Sequence, residues 1–261
     1  MSRLLFKAVS DVGCRRANNE DMALAGGRLV RDASSGGSLP FGADTHAAFA
    51  VADGMGGYEG GEIASEIALR SLAEYVRTVP AGLDGDGLIL SLKDWASAAN
   101  RTLLAAAASN PRLAEMGTTL TGLVAYEGRV ATVHIGDSRL YRFRGGVLKQ
   151  LSTDHSEREL TGDPDVPSHL IYNFLGNDGP FFADVTLWEG QVLPGDRFLL
   201  CSDGLSDMLS DEEISEVLES AADSPADSLV RRAKEAGGRD NITVLIICFA
   251  HEEETDDRIH L

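Results

Sequence analysis

The sequence predicts an α+β protein in which helices cover the outer faces of antiparallel sheet. Three observations carry this prediction. The hydrophobic period switches between helical spacing and strict alternation along the chain. The segments run strands, two helices, many strands, two helices, one strand. The middle strands are joined by short glycine-containing turns of the kind that link antiparallel neighbours.

Taken in order, Leu4 to Asp11 alternates weakly and predicts a strand. The stretch from Gly13 to Asp21 is too polar for core, and Met22 to Ala25 is a second short strand. Ser34 to Gly42 is rich in glycine and serine and reads as a loop. Ala47 to Ala52 is an apolar run that fits a strand buried on both faces. It ends at Asp53, which three glycines in four residues follow (Gly54, Gly56, Gly57). Asp53 is either an ordinary turn former or a carboxylate presented at a strand end, and this stretch alone leaves both readings open.

Ile63, Ala64, Ile67, Ala68, Leu72 and Val76 recur at helical spacing and predict a helix from Glu62 to Val76. A second helix, Leu88 to Ala107, carries Leu88, Leu92, Trp95, Ala99 and Leu103 on one face. The period then becomes two, over Thr118 to Tyr126, Arg129 to Ile135, Arg139 to Arg144 and Val147 to Leu151, an antiparallel meander. Asp154 to Pro180 is irregular, apart from the apolar run Leu170 to Leu175, and a loop of that length inside a domain is usually functional. Strands return at Phe182 to Trp188 and Arg197 to Cys201. Ser210 to Glu213 is a capping box that opens a helix, and Ser224-Pro225 opens another, stopped by Gly237-Gly238. Ile242 to Phe249 is the last strand.

The 261 residues are read as a single domain over residues 1–250, with an acidic tail over residues 251–261. A net charge of -18 excludes nonspecific nucleic-acid and anionic-membrane surfaces, so an anionic substrate must be attracted locally. The cysteines Cys14, Cys201 and Cys248 are widely spaced and match no zinc pattern, which predicts reduced thiols in a cytoplasmic protein. Leu4-Leu5-Phe6 is too short for a signal-peptide core, and no apolar run is long enough to span a bilayer. A soluble monomer is expected.

A carboxylate recurs at strand ends: Glu20-Asp21, Asp53, Asp137, Asp203 and Asp240. If these ends gather, each pair about 4 Å apart repels by about 4 kcal/mol at an effective dielectric near 20, so the cluster needs cations or protons. The donors are oxygens, without His or Cys at comparable positions, which favours Mg²⁺ or Mn²⁺ over zinc, and no EF-hand spacing is present. Two such ions sharing a carboxylate can hold a bridging hydroxide that attacks a phosphate ester. Arg16 is then either a fork for phosphoryl oxygens or a surface salt bridge. Ser138 and Thr119 lack a nucleophile elbow, and there is no Walker A loop. His134 is read as core and His155 as structural, while His46, His169, His251 and His260 show no partner pattern.

Arg16-x-x-x-Glu20-Asp21, Asp53-Gly54-Met55-Gly56-Gly57 with Gly61-Glu62-x-Ala64-Ser65, Gly117-Thr118-Thr119, Gly136-Asp137-Ser138-Arg139, Asp154-His155-Ser156, Ser202-Asp203-Gly204 and Asp240-Asn241 together resemble the ordered motifs of the metal-dependent protein phosphatases, the type 2C or PPM family. The resemblance spans nearly the whole chain. It implies a four-layer α-β-β-α sandwich of two antiparallel sheets flanked by helices. It also implies hydrolysis of phosphoserine and phosphothreonine in proteins, with a Ser/Thr kinase or its targets as partners. By motif position, Asp53 would bridge two Mn²⁺ or Mg²⁺ ions, Asp203 and Asp240 would hold the first, and Glu20 and the Gly54 carbonyl the second. Asp21 would stand behind in the outer shell, and Asp137 with Asp203 would hold a third ion. Arg16 would bind the substrate phosphate, and Asn241 would orient its neighbour.

Three departures stand out. Met55 occupies the position where some relatives carry a histidine acid, and a thioether has no proton to give, so solvent on the metals is the expected acid. Tyr58 replaces a histidine common in bacterial relatives. The helical flap of relatives is here reduced to about residues 157–180, with Pro164 and Pro167 inside it. A catalytically silent phosphoprotein binder would not need Asp53, Asp203 and Asp240, whereas a small-molecule phosphatase would share every ligand.

Overall fold

The computed structural model describes residues 2–56, 60–220 and 224–251. Gly57, Tyr58 and the acidic residues 252–261 lie outside the described residues.

The chain begins with β1 (Ser2–Asp11), β2 (Met22–Ala25), β3 (Arg28–Val30), β4 (Ala33–Phe41), β5 (His46–Ala52) and the two-residue β6 (Gly54–Met55). Two long helices follow, α1 (Gly60–Thr78) and α2 (Gly85–Ser109), the latter capped by the Asp84 side chain accepting from the Gly87 N–H. Next come β7 (Gly117–Thr118), β8 (Leu120–Tyr126), β9 (Arg129–Ile135), β10 (Arg139–Arg144) and β11 (Val147–Gln150). The five-residue α3 (Glu157–Thr161), β12 (Asp184–Leu187) and β13 (Arg197–Cys201) lead to α4 (Asp203–Ser206), α5 (Asp211–Glu219), α6 (Pro225–Glu235) and β14 (Ile242–His251).

Two six-stranded antiparallel sheets result, ordered β11-β10-β13-β14-β1-β4 and β12-β9-β8-β5-β2-β3. Their facing sides share one core, with Leu4, Phe6, Leu245 and Ile247 from the first sheet against Phe49, Val51 and Leu123 from the second. Alternation explains the unbroken apolar run of β5: Ala47, Phe49 and Val51 face the other sheet, while Ala48, Ala50 and Ala52 face α1 and α2. On the far side, Val244 and Ile246 meet Ile214, Val217, Leu229 and Ala233 of α5 and α6. The layers are therefore α-β-β-α, as the resemblance implied. Among the described residues, no helix is long and apolar enough to cross a membrane.

Three expectations are corrected. Ser34 to Gly42 is not a loop: β4 pairs with β1 from Ser10↔Ala33 to Ser2↔Phe41 and forms the sheet edge. Its glycines are what fit there, since a Cβ at Gly37 would lie 3.1 Å from the Phe6 ring. Strand formation here follows packing rather than propensity, and Pro40 is tolerated at an edge. The meander is also not one sheet. The β8–β9 hairpin belongs to the second sheet and β10–β11 to the first, so the chain crosses between sheets at Gly136–Ser138. Gly136, at φ +105°, permits this close turn against Thr119. Finally, the strand predicted from Thr118 breaks at Thr119, whose N–H donates to the Asp53 carbonyl at 2.9 Å.

Candidate active site

The ends of β1, β5, β9 and β13 and the start of β14 meet at one edge of the sandwich. There they surround a cavity of about 260 Å³ lined by Glu20, Asp53, Gly54, Asp137, Asp203 and Asp240, with Arg16 at its rim. Six of the seven sequence-predicted metal-site residues thus share one cavity with Arg16. The seventh, Asp21, is buried behind it and accepts a 2.6 Å hydrogen bond from the Ser202 hydroxyl.

Local sequence explains the placement. Gly54 and Gly61 lie against each other, with Gly61 also beside Glu20: a Cβ on Gly54 would overlap the Gly61 carbonyl, and one on Gly61 would lie 2.8 Å from the Glu20 carboxyl carbon. Ser65 on α1 donates to the Glu20 carbonyl at 2.7 Å, and Arg31 ties the Asp21 carbonyl (3.0 Å) to Ser65 (2.8 Å). Asn241 does more than orient its neighbour. Its carbonyl oxygen accepts from the Glu20 N–H at 2.8 Å, while its amide nitrogen donates to the Val12 and Asn18 carbonyls, which fixes the Arg16–Glu20 loop. Thr119 and Ser138 are scaffold rather than nucleophiles: Thr119 Oγ1 accepts from the Asp53 N–H at 3.0 Å and shares a 2.7 Å hydrogen bond with Ser138.

The Asp154-His155-Ser156 motif is structural in the same way. Asp154 takes the Arg139 guanidinium through both carboxylate oxygens, His155 Nδ1 accepts from the Gly136 N–H at 3.1 Å, and Ser156 caps α3. Asn19, whose side-chain oxygen accepts from the Asp21 N–H at 3.1 Å, and Arg31 are supporting residues that the sequence reading did not single out, while Ser65 and Ser202 stood in the family motifs without a stated role.

The carboxylates raise one another's proton affinity. Burial first, then the charge of Asp203, push Asp137 up to about 8. Burial and Asp203, against the Ser202 hydrogen bond, push Asp21 up to about 7. Burial followed by Asp240 and Asp207 pushes Asp203 up to about 6. Asp53, enclosed and facing Asp21, Asp203 and Asp137, is held well above the ordinary carboxylate range. Burial also raises Glu20, although Arg16 opposes it. Among the described residues, no three His, Cys, Asp or Glu side chains are closed up enough to define an ion position unaided. The fit to a divalent cation rests instead on the all-oxygen donor set, this mutual repulsion, and Asp203 Oδ1, a buried carboxylate oxygen without a hydrogen-bond partner among the described residues. Arg16 pairs with Asp240 at 2.5 Å while remaining about half exposed, which is the salt-bridge reading of it, made at the rim of the cavity.

A pH effect follows from these shifts. A carboxylate whose folded pKa lies above its unfolded value contributes stability at low pH, and that stability is lost as pH rises through the folded pKa. The metal-free protein is therefore expected to lose thermal stability progressively from about pH 4, the unfolded carboxylate range, to about pH 8. Ligands must be deprotonated, so the stabilisation added by Mn²⁺ is expected to grow over the same window. Melting curves in EDTA and in Mn²⁺ across that range check both signs, and a flat EDTA profile contradicts the burial argument.

The geometry agrees with independent similarity. Residues 24–243 match the protein phosphatase 2C family. The chain belongs to that family. It is 37% identical to the serine/threonine protein phosphatase PstP of Mycobacterium tuberculosis over 93% of its length, but spans only 44% of that relative. It is 33% identical to the serine/threonine phosphatase Stp of Listeria monocytogenes over 85% of this chain and 92% of Stp. The crystal structure of the PstP catalytic domain in complex with two manganese ions superposes with a TM-score of 0.77 at 34% identity, covering 96% of this chain and 100% of that one. A crystal structure of the Staphylococcus aureus phosphatase Stp1 gives 0.76 at 26% identity, covering 93% and 94% respectively.

Proposed function

We propose that this chain is a metal-dependent protein-serine/threonine phosphatase of the cytoplasm, releasing phosphate from phosphoserine and phosphothreonine side chains by direct attack of water. The observation that supports it most is the gathering of Glu20, Asp53, Asp137, Asp203 and Asp240 around one cavity whose rim carries Arg16. The manganese found with PstP indicates the ion class.

Asp53 would bridge two Mn²⁺ or Mg²⁺ ions, with Asp203 and Asp240 on the first and Glu20 and the Gly54 carbonyl on the second. Asp21 would steady the second from behind, and Asp137 with Asp203 would hold a third. When bound, the ions supply positive charge that offsets the carboxylates and lowers the pKa of water. The chain's residues do the rest. Thr119 fixes the Asp53 backbone, and Asn241 fixes that of Glu20. Arg16, held at the rim by Asp240, offers its guanidinium fork to the phosphoryl dianion, a local cation that draws an anion to a chain of charge -18. The substrates are phosphoproteins, and a cognate Ser/Thr kinase acts on the same targets.

Phosphate release from a phosphothreonine peptide is expected in Mn²⁺, lost in excess EDTA and restored when Mn²⁺ is returned. Full activity in EDTA contradicts the metal-dependent reading. A folded protein inactive in Mn²⁺ indicates a silent relative instead.

A further inference from the structure

The reaction leaves one requirement unmet by the residues discussed so far. A seryl or threonyl alkoxide is a poor leaving group and needs a proton as its bond to phosphorus breaks. Met55, which lines the cavity, cannot give one. Neither can Arg16, whose guanidinium does not deprotonate in proteins. Thr119 is buried and engaged with Ser138 and the Asp53 backbone, and Asn241 is an amide used at both ends. The carboxylates are the ligands that would hold the ions of the proposed function.

Among the described residues that line the cavity, one more side chain can donate a proton, the imidazole of His169. It is exposed, and no described residue hydrogen-bonds its imidazole. Its backbone is nevertheless well placed. The next residue, Leu170, accepts from the Glu157 N–H at 2.7 Å, Ile171 bridges to Ser156, and the Tyr172 N–H donates to the His155 carbonyl at 3.0 Å. His155 is in turn buried and hydrogen-bonded to the Gly136 N–H beside Asp137. The segment that presents His169 is therefore strapped to the wall of the site.

We infer that His169 is the general acid for the leaving serine or threonine oxygen, a role that rests on the phosphatase reading above. Water adds its oxygen to phosphorus, and the phosphorus–ester oxygen bond breaks with its electron pair going to the side-chain oxygen. The His169 imidazolium gives that oxygen its proton, leaving the alcohol. The proton released by water passes to solvent, from which the imidazole is recharged.

The test compares two esters on the Mn²⁺-loaded enzyme across pH 6 to 9: a phosphothreonine peptide, whose leaving alkoxide needs a proton, and p-nitrophenyl phosphate, whose leaving phenolate does not. His169→Gln is expected to lower kcat on the peptide by about 10²-fold or more, and by at least about tenfold less on p-nitrophenyl phosphate. The decline of peptide kcat at alkaline pH that a general acid imposes on the parent is expected to disappear in the variant. Equal losses on the two esters, undiminished peptide turnover, or an unaltered pH profile each overturn the assignment. Asp53→Asn, assayed alongside, reports on the phosphatase reading itself: its inactivity leaves that reading standing whatever His169→Gln does, and its activity overturns it.

Discussion

Asp53→Asn is expected to lower kcat/KM on a phosphothreonine peptide in saturating Mn²⁺ by at least about 10³-fold, about 4 kcal/mol of transition-state stabilisation. The amide keeps the shape of the side chain and removes its charge at the position proposed to bridge two ions. The same change is expected to have the opposite sign on stability without metal. Asp53 is enclosed with Asp21, Asp203 and Asp137 facing it, and that repulsion is relieved when its charge goes. In EDTA at pH 8.5 the variant should therefore melt higher than the parent, while Mn²⁺ should no longer raise its melting temperature appreciably. Activity and calorimetry read the two effects separately. A variant that stays active, or that melts lower in EDTA, contradicts the charge-cluster argument.

The second large effect is Gly54→Ala. A Cβ there would overlap the Gly61 carbonyl at the start of α1 and lie 2.7 Å from the Glu20 carbonyl oxygen. Both obstacles are backbone, so relief requires moving the helix or the Glu20 loop. A loss of about 3 kcal/mol or more in stability is expected, together with a fall in activity, because Glu20 cannot keep its place. Gly42→Ala is the matched control: a Cβ there would meet nothing within 4 Å, and the change should alter stability by no more than about 0.5 kcal/mol. Urea unfolding of the three proteins checks the contrast, and equal stabilities would show that the α1 start is more yielding than its contacts imply.

Much of the site was legible because each part of it is a local event. Asp53 follows an apolar run and precedes glycines, and Asp203 follows another such run, so strand ends that carry carboxylates are visible without knowing where the strands go. The helices were legible for the same reason, and the Ser210–Glu213 capping box forms as its spacing predicts. β4 was not legible. Its glycines and serines have low strand propensity, and only the Phe6 ring across the sheet makes small residues the right ones there. The crossing at Gly136 was hidden because a turn between strands of one sheet and a turn between two sheets use the same residues. Met55 left no side-chain acid and made solvent the expected one, and His169, which sits beyond two prolines in an irregular stretch, gave no pattern that tied it to Asp53.

The sequence by itself determined the α+β class, the set of carboxylates and their order, and the all-oxygen chemistry that calls for a hard divalent ion. These depend on residue type and on spacing along the chain. The tertiary structure alone decided that the carboxylates share one cavity, that Arg16 meets Asp240, that Asn241 holds Glu20, and that His169 reaches the same cavity from a distant part of the chain. Each of those is a contact between residues far apart in sequence, brought about by packing two sheets on a common core, and no local pattern encodes which strand ends will meet.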